Sequence, residues 1–242
     1  MQAIIMAAGK GTRLGRLTQE VPKPLILLGG IPLLGRQLKA LLNISKINEI
    51  IIITGYQEQK IKDYVQNNFS LNKIKFVSNK DYYSGALVTL SKAIPYIKED
   101  FLVINADHLF SRKAYQTVIN NLNKIMVCSF NNRIPFEDER KIKIYGNGVV
   151  ELSKLVINYD FGYTGLVGVG LDFKDDYIKC MLEQLSIGNT NFHPDDLIFP
   201  LSKMGVPIQI FNLDEYTFIE IDTPNDYELA KEKIILLESE DK

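Results

Sequence analysis

Tryptophan is absent from the 242 residues, and cysteine and histidine occur only twice each. Each shortage removes a class of protein. Without tryptophan, the strongest ring for a cation cage is missing. Cys128 and Cys180 are too few and too far apart in sequence for a disulfide framework. Cys128 lies in an apolar run, where a small core side chain is expected. His108 and His193 each lack a second His or Cys at ligand spacing, which argues against zinc. No apolar run approaches membrane-spanning length. The first residues lack the basic region and cleavage site of a leader, so a cytoplasmic location is expected. An excess of either charge is missing too: 28 Lys plus Arg face 29 Asp plus Glu. No global field then recruits nucleic acid or an anionic membrane, and phosphate binding must rely on local cations.

What is present is a chain long enough for one large α/β domain. Apolar runs of strand length alternate with amphipathic runs of helix length. The pattern predicts strands at 3–8, 49–54, 73–77 and 101–105, and helices at 32–42, 57–67, 84–94 and 112–122. Such alternation predicts a Rossmann-like, mostly parallel sheet with helices on both faces. After residue 124 the pattern becomes mixed α+β. Strands are predicted at 125–130, 141–145, 149–152, 162–170, 207–211 and 217–221, and helices at 175–185, 195–203 and 225–237. Gly146-Asn147-Gly148 is a hairpin signal. The acidic residues 238–242 read as a frayed tail.

The most informative stretch is residues 3–24, AIIMAAGKGTRLGRLTQEVPKP. A buried strand breaks at Gly9 into a loop with Gly11, Thr12 and Arg13, then returns to Lys23 between Pro22 and Pro24. Glycines let a backbone turn with positive φ and approach a ligand closely. Successive N–H groups in such a loop form an anion-binding nest, and Arg13 and Lys23 add fixed positive charge. Two common phosphate loops fail on spacing. Lys10 does not complete a Walker A motif, and Gly15 comes one residue late for the dinucleotide fingerprint.

The pattern G-x-G-T-R-L, followed by P-K-P-L, resembles the signature of nucleotidyltransferases that activate sugar phosphates and related alcohol phosphates. Ala106-Asp107-His108 and Glu220-Ile221-Asp222-Thr223-Pro224 extend the resemblance over nearly the whole chain. Within that superfamily the compact CTP-dependent inositol-phosphate and phosphocholine cytidylyltransferases look most similar. The resemblance implies one nucleotide-diphospho-sugar transferase type domain over 1–242. Residues 1–123 would bind nucleotide, and 124–242 would bind the acceptor and complete a metal site. It implies Mg²⁺, a nucleoside triphosphate with CTP favoured, and a small phosphorylated acceptor as ligands. A homo-oligomer is compatible with the sequence.

Site roles follow residue by residue. Arg13 would clamp the β- and γ-phosphates with its planar fork. Lys23 would contact the α-phosphate. Asp107 follows the buried run FLVIN, at the sheet edge where open α/β folds bind ligands; on position alone a turn or cap carboxylate is the commoner reading, and the glycine loop beside it turns the balance to a metal role. Alternation places Glu220 and Asp222 on one strand face, although Asp222 could simply cap the next helix. By resemblance, Asp107 and Asp222 hold the Mg²⁺. Ala7, Ala8 and Gly9 would meet the base through backbone groups, with Gly11 and Thr12 completing the loop. Ser84 and Gly85 resemble the family's segment beside the base, and Asn79 is a further nucleotide-side candidate. On the acceptor side stand His108, which would orient Asp107 or touch the acceptor, together with Lys154, Tyr163 and Glu220. Tyr159, Phe161 and Tyr163 alternate, so they form either an aromatic cage or core. The charged run 133–143 reads as a rim over the acceptor or as a solvated face. Competing readings are a hexose-1-phosphate enzyme using UTP, dTTP or CTP, a glycosyltransferase, and a non-catalytic nucleotide sensor. The glycosyltransferase reading lacks an Asp-x-Asp at Asp107-His108-Leu109.

Overall fold

The computed structural model describes residues 1–241. In chain order the elements are β1 (Gln2–Ala7), β2 (Leu27–Leu28), β3 (Ile31–Pro32), α1 (Leu33–Leu42), β4 (Glu49–Thr54), α2 (Glu58–Asn68), β5 (Ile74–Ser78), α3 (Ala86–Ser91), β6 (Phe101–Asn105) and β7 (His108–Phe110). They continue as α4 (Arg112–Asn121), β8 (Ile125–Phe130), β9 (Lys141–Ile144), β10 (Val150–Ser153), β11 (Phe161–Val169), α5 (Lys174–Ser186), α6 (Ile198–Lys203), β12 (Ile208–Asn212), β13 (Phe218–Glu220) and α7 (Pro224–Glu240).

Strands such as EIIIIT lack a polar face because both faces are covered. Ala3, Ile5, Ile50 and Ile52 pack in one core with Leu34 and Leu38 of α1, Ile61 of α2 and Val118 of α4. Ile4, Ile51 and Ile53 pack in another with Leu87 of α3, Met181 of α5 and Leu201 of α6. Successive side chains of one strand point to opposite faces, so the sheet lies between two helical layers. This is the α/β arrangement that the alternation predicts.

Strands β6, β1, β4 and β5 are parallel neighbours. Parallel pairing leaves their carboxyl ends on one edge, with Met6 beside Asn105 and Ala7 beside Thr54. The glycine loop after β1 and Asp107 after β6 therefore emerge side by side. β11 is antiparallel to both β6 and β8, and its first two residues pair with β9. One nine-stranded sheet thus runs through both halves of the chain.

A second, two-stranded sheet was not legible in the sequence. β7 pairs antiparallel with β13, setting Glu220 opposite His108, and the Ile221 N–H donates to the Asp107 carbonyl at 3.2 Å. That register carries Asp222 to Asp107. HLF is only three residues, all buried, too short to show a period. A third core cluster fastens this sheet: Leu109, Ile219 and Ile221 pack with Leu14 and Ile26 from the loop region and with Ala230 and Ile234 of α7.

Other expectations change in detail. The helix predicted at 84–94 shrinks to Ala86–Ser91, because Gly85 enters it at φ 119 and Pro95 lies in a separate 3-10 turn. The helix predicted at 195–203 divides into a 3-10 turn, Pro194–Leu197, and α6. The tail is not frayed over residues 238–241. α7 continues to Glu240, and the Thr217 N–H donates to the Glu240 carboxylate at 2.6 Å. Asp241 accepts the backbone N–H groups of Arg112 and Lys113 at 3.0 and 3.2 Å. Those are first-turn donors of α4, which have no partner inside their own helix. Replacing Asp241 with Ala should lower stability by about 1 kcal/mol, the usual cost of losing a helix cap, in denaturant unfolding. An unchanged midpoint would show that the tail adds nothing to the fold.

Candidate active site

The carboxyl edge of the sheet opens into a cleft of about 520 Å³, walled by both halves of the chain. A volume in this range suits a small-molecule site. The loop after β1 forms one wall as a pair of 3-10 turns over Thr12–Thr18, with Gly11 left-handed at φ 66. A side chain at Gly11 would collide with the Lys23 stem, its Cβ falling 2.8 Å from that of Lys23. Glycine there allows Lys23 to pass into the cleft. The Thr18 hydroxyl donates to the Gly11 carbonyl at 3.1 Å and closes the loop on itself.

Lys23 lies in a short turn, Lys23–Leu25, directly after Pro22. Its ammonium group donates to Asp107 Oδ2 and, at 2.7 Å, to Asp222 Oδ1. Arg13 reaches the other oxygen of Asp222 at 2.9 Å. The other oxygen of Asp107 lies 2.7 Å from His108 Nδ1, and His108 Nε2 is 3.5 Å from Glu220. The result is an unbroken alternation: Arg13, Asp222, Lys23, Asp107, His108, Glu220. Burial by itself would raise the Asp107 pKa, but the charges of Lys23 and His108 and their hydrogen bonds outweigh it and hold the carboxyl well below the usual range. Burial likewise opposes charge on His108 and Lys23. For His108, Glu220 and Asp107 push the pKa well above its ordinary value; for Lys23, Asp107 and Asp222 raise it.

His108 is 5% exposed and packs against a break in β11. Between Tyr163 and Val167 the β11 register slips against β8, and Gly165 turns there with φ 88. A Cβ at Gly165 would fall 2.0 Å from the His108 ring.

The cleft wall gathers Ala7, Ala8, Gly9, Gly11, Arg13, Lys23, Gly85, Asp107, His108, Lys154, Tyr163, Glu220 and Asp222. Three residues expected from the sequence to bind nucleotide stand outside it. Asn79 is fully buried and donates to the Thr89 hydroxyl at 2.9 Å; Thr89 is the residue that reaches the wall. Thr12 is exposed at the outer start of its turn. Ser84 is held in the 3-10 turn that precedes Gly85, its N–H bonded to the Asp81 carbonyl. The aromatic alternation also fails to form a cage: Tyr159 precedes β11, Phe161 packs against the second core, and of the three only Tyr163 lines the cleft.

Sequence reasoning missed Arg140 and Asp195, which both line the cleft and lie 2.9 Å apart. Arg140 was hidden in the charged run 133–143 and Asp195 in an apparent helix entry. Nothing local links residues so distant in the chain. Gly165→Ala should cost at least about 2 kcal/mol in denaturant unfolding, since backbone strain alone is worth about 1–3 kcal/mol and the His108 clash adds to it. Gly148, at φ 80 with open space around it, is the control, and equal losses at both positions would refute the packing argument.

The Nucleotidyl transferase family matches residues 2–131, more than half of the chain. The bifunctional protein GlmU of Methanococcus maripaludis is 35% identical over 133 residues, covering 54% of this chain and 30% of that protein; the chain thus spans only part of the length of such relatives. The D-glycero-alpha-D-manno-heptose 1-phosphate guanylyltransferase of Campylobacter jejuni is 27% identical, covering 94% of this chain and 97% of that one. Among solved structures, the inositol-1-phosphate CTP transferase from T. maritima superposes with a TM-score of 0.78 at 20% identity, over 96% of this chain and 95% of that one. The CTP:phosphocholine cytidylyltransferase from Streptococcus pneumoniae gives 0.75 at 21% identity, over 96% and 98%. At these identities the two structures establish the fold alone. The family match covers β1, the glycine loop, Lys23 and Asp107, and the chain belongs to the Nucleotidyl transferase family.

Proposed function

We propose that this enzyme transfers CMP from CTP to a small phosphorylated alcohol of the inositol phosphate or phosphocholine type, releasing pyrophosphate. The observation that carries the reading is the alternating chain of cations and acids in one cleft beside the glycine loop. A phosphate oxygen of the acceptor attacks the α-phosphorus. The new P–O bond forms as the bond to the bridging oxygen breaks, and pyrophosphate carries away the electron pair. The attacking phosphate is already anionic, so the protein needs alignment and charge neutralisation more than a strong base.

The residues present fit a magnesium ion. Asp107 and Asp222 both reach one ammonium group, so their oxygens also lie within reach of one compact cation. Magnesium takes oxygen ligands and commonly only one or two carboxylates, with phosphates and water completing the shell. Among the described residues, no cluster of three His, Cys, Asp or Glu side chains could hold a metal without such help. Asp107 and Asp222 would hold the ion, which would supply Lewis-acid neutralisation of phosphate charge. Lys23, released from the two acids, turns its ammonium to the α-phosphate. Arg13 swings from Asp222 to the outer phosphates; its side chain is 60% exposed and has room to do so. Backbone N–H groups of the glycine loop hold the remaining oxygens.

The end-to-end likeness to a heptose 1-phosphate guanylyltransferase favours a second reading, a sugar-1-phosphate nucleotidyltransferase using another triphosphate. Pyrophosphate release across a matrix of triphosphates and acceptors separates the two. The first predicts turnover with CTP and an alcohol phosphate, and exclusive turnover of a hexose or heptose 1-phosphate with UTP, dTTP or GTP refutes it. Asp107→Asn and Asp222→Asn should each lower kcat by at least about 10²-fold, the scale set by losing one preorganised electrostatic group, with cooperative unfolding retained. EDTA should abolish turnover and Mg²⁺ restore it. Near-normal rates in both variants would remove the metal assignment.

A further inference from the structure

The acceptor end of the cleft contains an acid that the reaction above does not use. Asp195 is 4% exposed and lines the cleft beside Arg140 and Tyr163. It is not needed to neutralise Arg140. The two terminal nitrogens of that guanidinium both donate to Asp196, and Asp196 is fixed in turn by the His193 N–H at 2.7 Å. Arg140 Nε lies 2.9 Å from Asp195 Oδ2, an oxygen with no exposed surface and no aligned hydrogen-bond donor among the described residues, so a contact from the cleft falls to the other oxygen, Oδ1. The loop bearing it is rigid: Pro194 starts the turn, and the buried Tyr177 hydroxyl donates to the Pro194 carbonyl at 3.1 Å. A buried carboxylate oxygen without its own donor is costly, and such groups call for an explanation. Burial, together with the nearby Asp196, pushes the Asp195 pKa up against the pull of Arg140, as expected for an under-solvated acid.

We propose that Asp195 is a specificity-determining residue that accepts hydrogen bonds from the hydroxyl groups of a polyol phosphate acceptor. This inference rests on the cleft being a nucleotidyl-transfer site. A carboxylate here repels the acceptor's phosphate and attracts its hydroxyls. It therefore fixes which end of the acceptor faces Asp195 and which faces the cations at Lys23 and Lys154, both on the cleft wall. Arg140 beside it keeps the acid from acting as a bare negative charge. A quaternary ammonium group donates no classical hydrogen bond, so it would meet this wall through charge and through the rings of Tyr82, Tyr83 and Tyr163 rather than through hydroxyl contacts to Asp195. Sites built to hydrogen-bond a hydroxyl discriminate strongly against analogues that lack it.

The test compares inositol 1-phosphate and glucose 1-phosphate with phosphocholine, in the wild type and in Asp195→Asn and Asp195→Ala. With saturating triphosphate, the wild type should prefer a polyol phosphate. Asp195→Ala should raise the KM for it about 10- to 100-fold, the range for a hydrogen bond to a charged group, and Asp195→Asn should raise it less. The KM for triphosphate and the values for phosphocholine should stay within about twofold. If Asp195→Ala does not fold, the isosteric Asp195→Asn decides. A wild-type preference for phosphocholine, an unchanged polyol KM in the variants, or an equal loss for both acceptor types overturns the assignment. Calorimetric titration of the same three acceptors into wild type and variants reads the contact without turnover. An enzyme that releases no pyrophosphate with any pair sinks the transfer reading. The proposal about Asp195 then stands if polyol binding weakens on substitution, and falls if binding is absent or unchanged.

Discussion

One ammonium group, on Lys23, lies between two acids delivered by different parts of the fold, and the rest of the site is built around that contact. Either carboxylate left alone in the cleft would be an uncompensated charge in a poorly solvated place, which is far more damaging than a missing ion pair at the surface. The pairing continues outward through Arg13 on one side and through His108 and Glu220 on the other. Each charge is thus held by an opposite one. In the proposed reaction, an incoming triphosphate and cation would exchange partners with these groups without creating a bare charge. The contact also explains several backbone features. Gly11 clears a path for the lysine stem, the turn after Pro22 aims it, and Gly165 yields space to the histidine that braces Asp107.

Much of this could be read from residue order. β1, β4 and β6 announce themselves as unbroken apolar runs because buried parallel strands have no solvated face. Lys23 and Arg13 were legible because a local loop signature carries them. Asp107 was legible only in company with the glycine loop, because its place at the end of such a run also suits a turn or cap carboxylate. Asp222 needed more: it reaches Asp107 only through the pairing of β7 with β13, and neither three-residue strand is long enough to have a period. The resemblance of Glu220-Ile221-Asp222 to a family motif suggested the partnership before any pairing rule could.

Other parts were not legible, for definite physical reasons. Asn79 looks like a ligand-facing amide just after β5, but its side chain is turned inward to support Thr89. The charged run after β8 reads as solvated because charges usually are, yet Arg140 within it is drawn to Asp195 and Asp196 from another segment. Tyr159 and Phe161 share a period with Tyr163, but the strand begins at Phe161, and a period has no meaning beyond the strand that produces it. Residues 238–241 have the composition of a loose end, yet Glu238 is held by Arg36, Glu240 by the Thr217 N–H and Asp241 by donors at the start of α4, none of which sequence spacing reveals.

β11 has a consequence for how the enzyme moves. Its hydrogen bonds to β6 on one side and β8 on the other weld the two halves into one sheet, so the described residues offer no hinge about which one half could swing over the other. Rotating one half against the other would tear a ladder buried in both cores. Adjustment to ligands therefore falls to the irregular segments at the sheet's rim, chiefly the turns around Arg13, Glu139 and Lys154. Any enclosure of a bound ligand would fall to side chains and short loops over an unyielding floor.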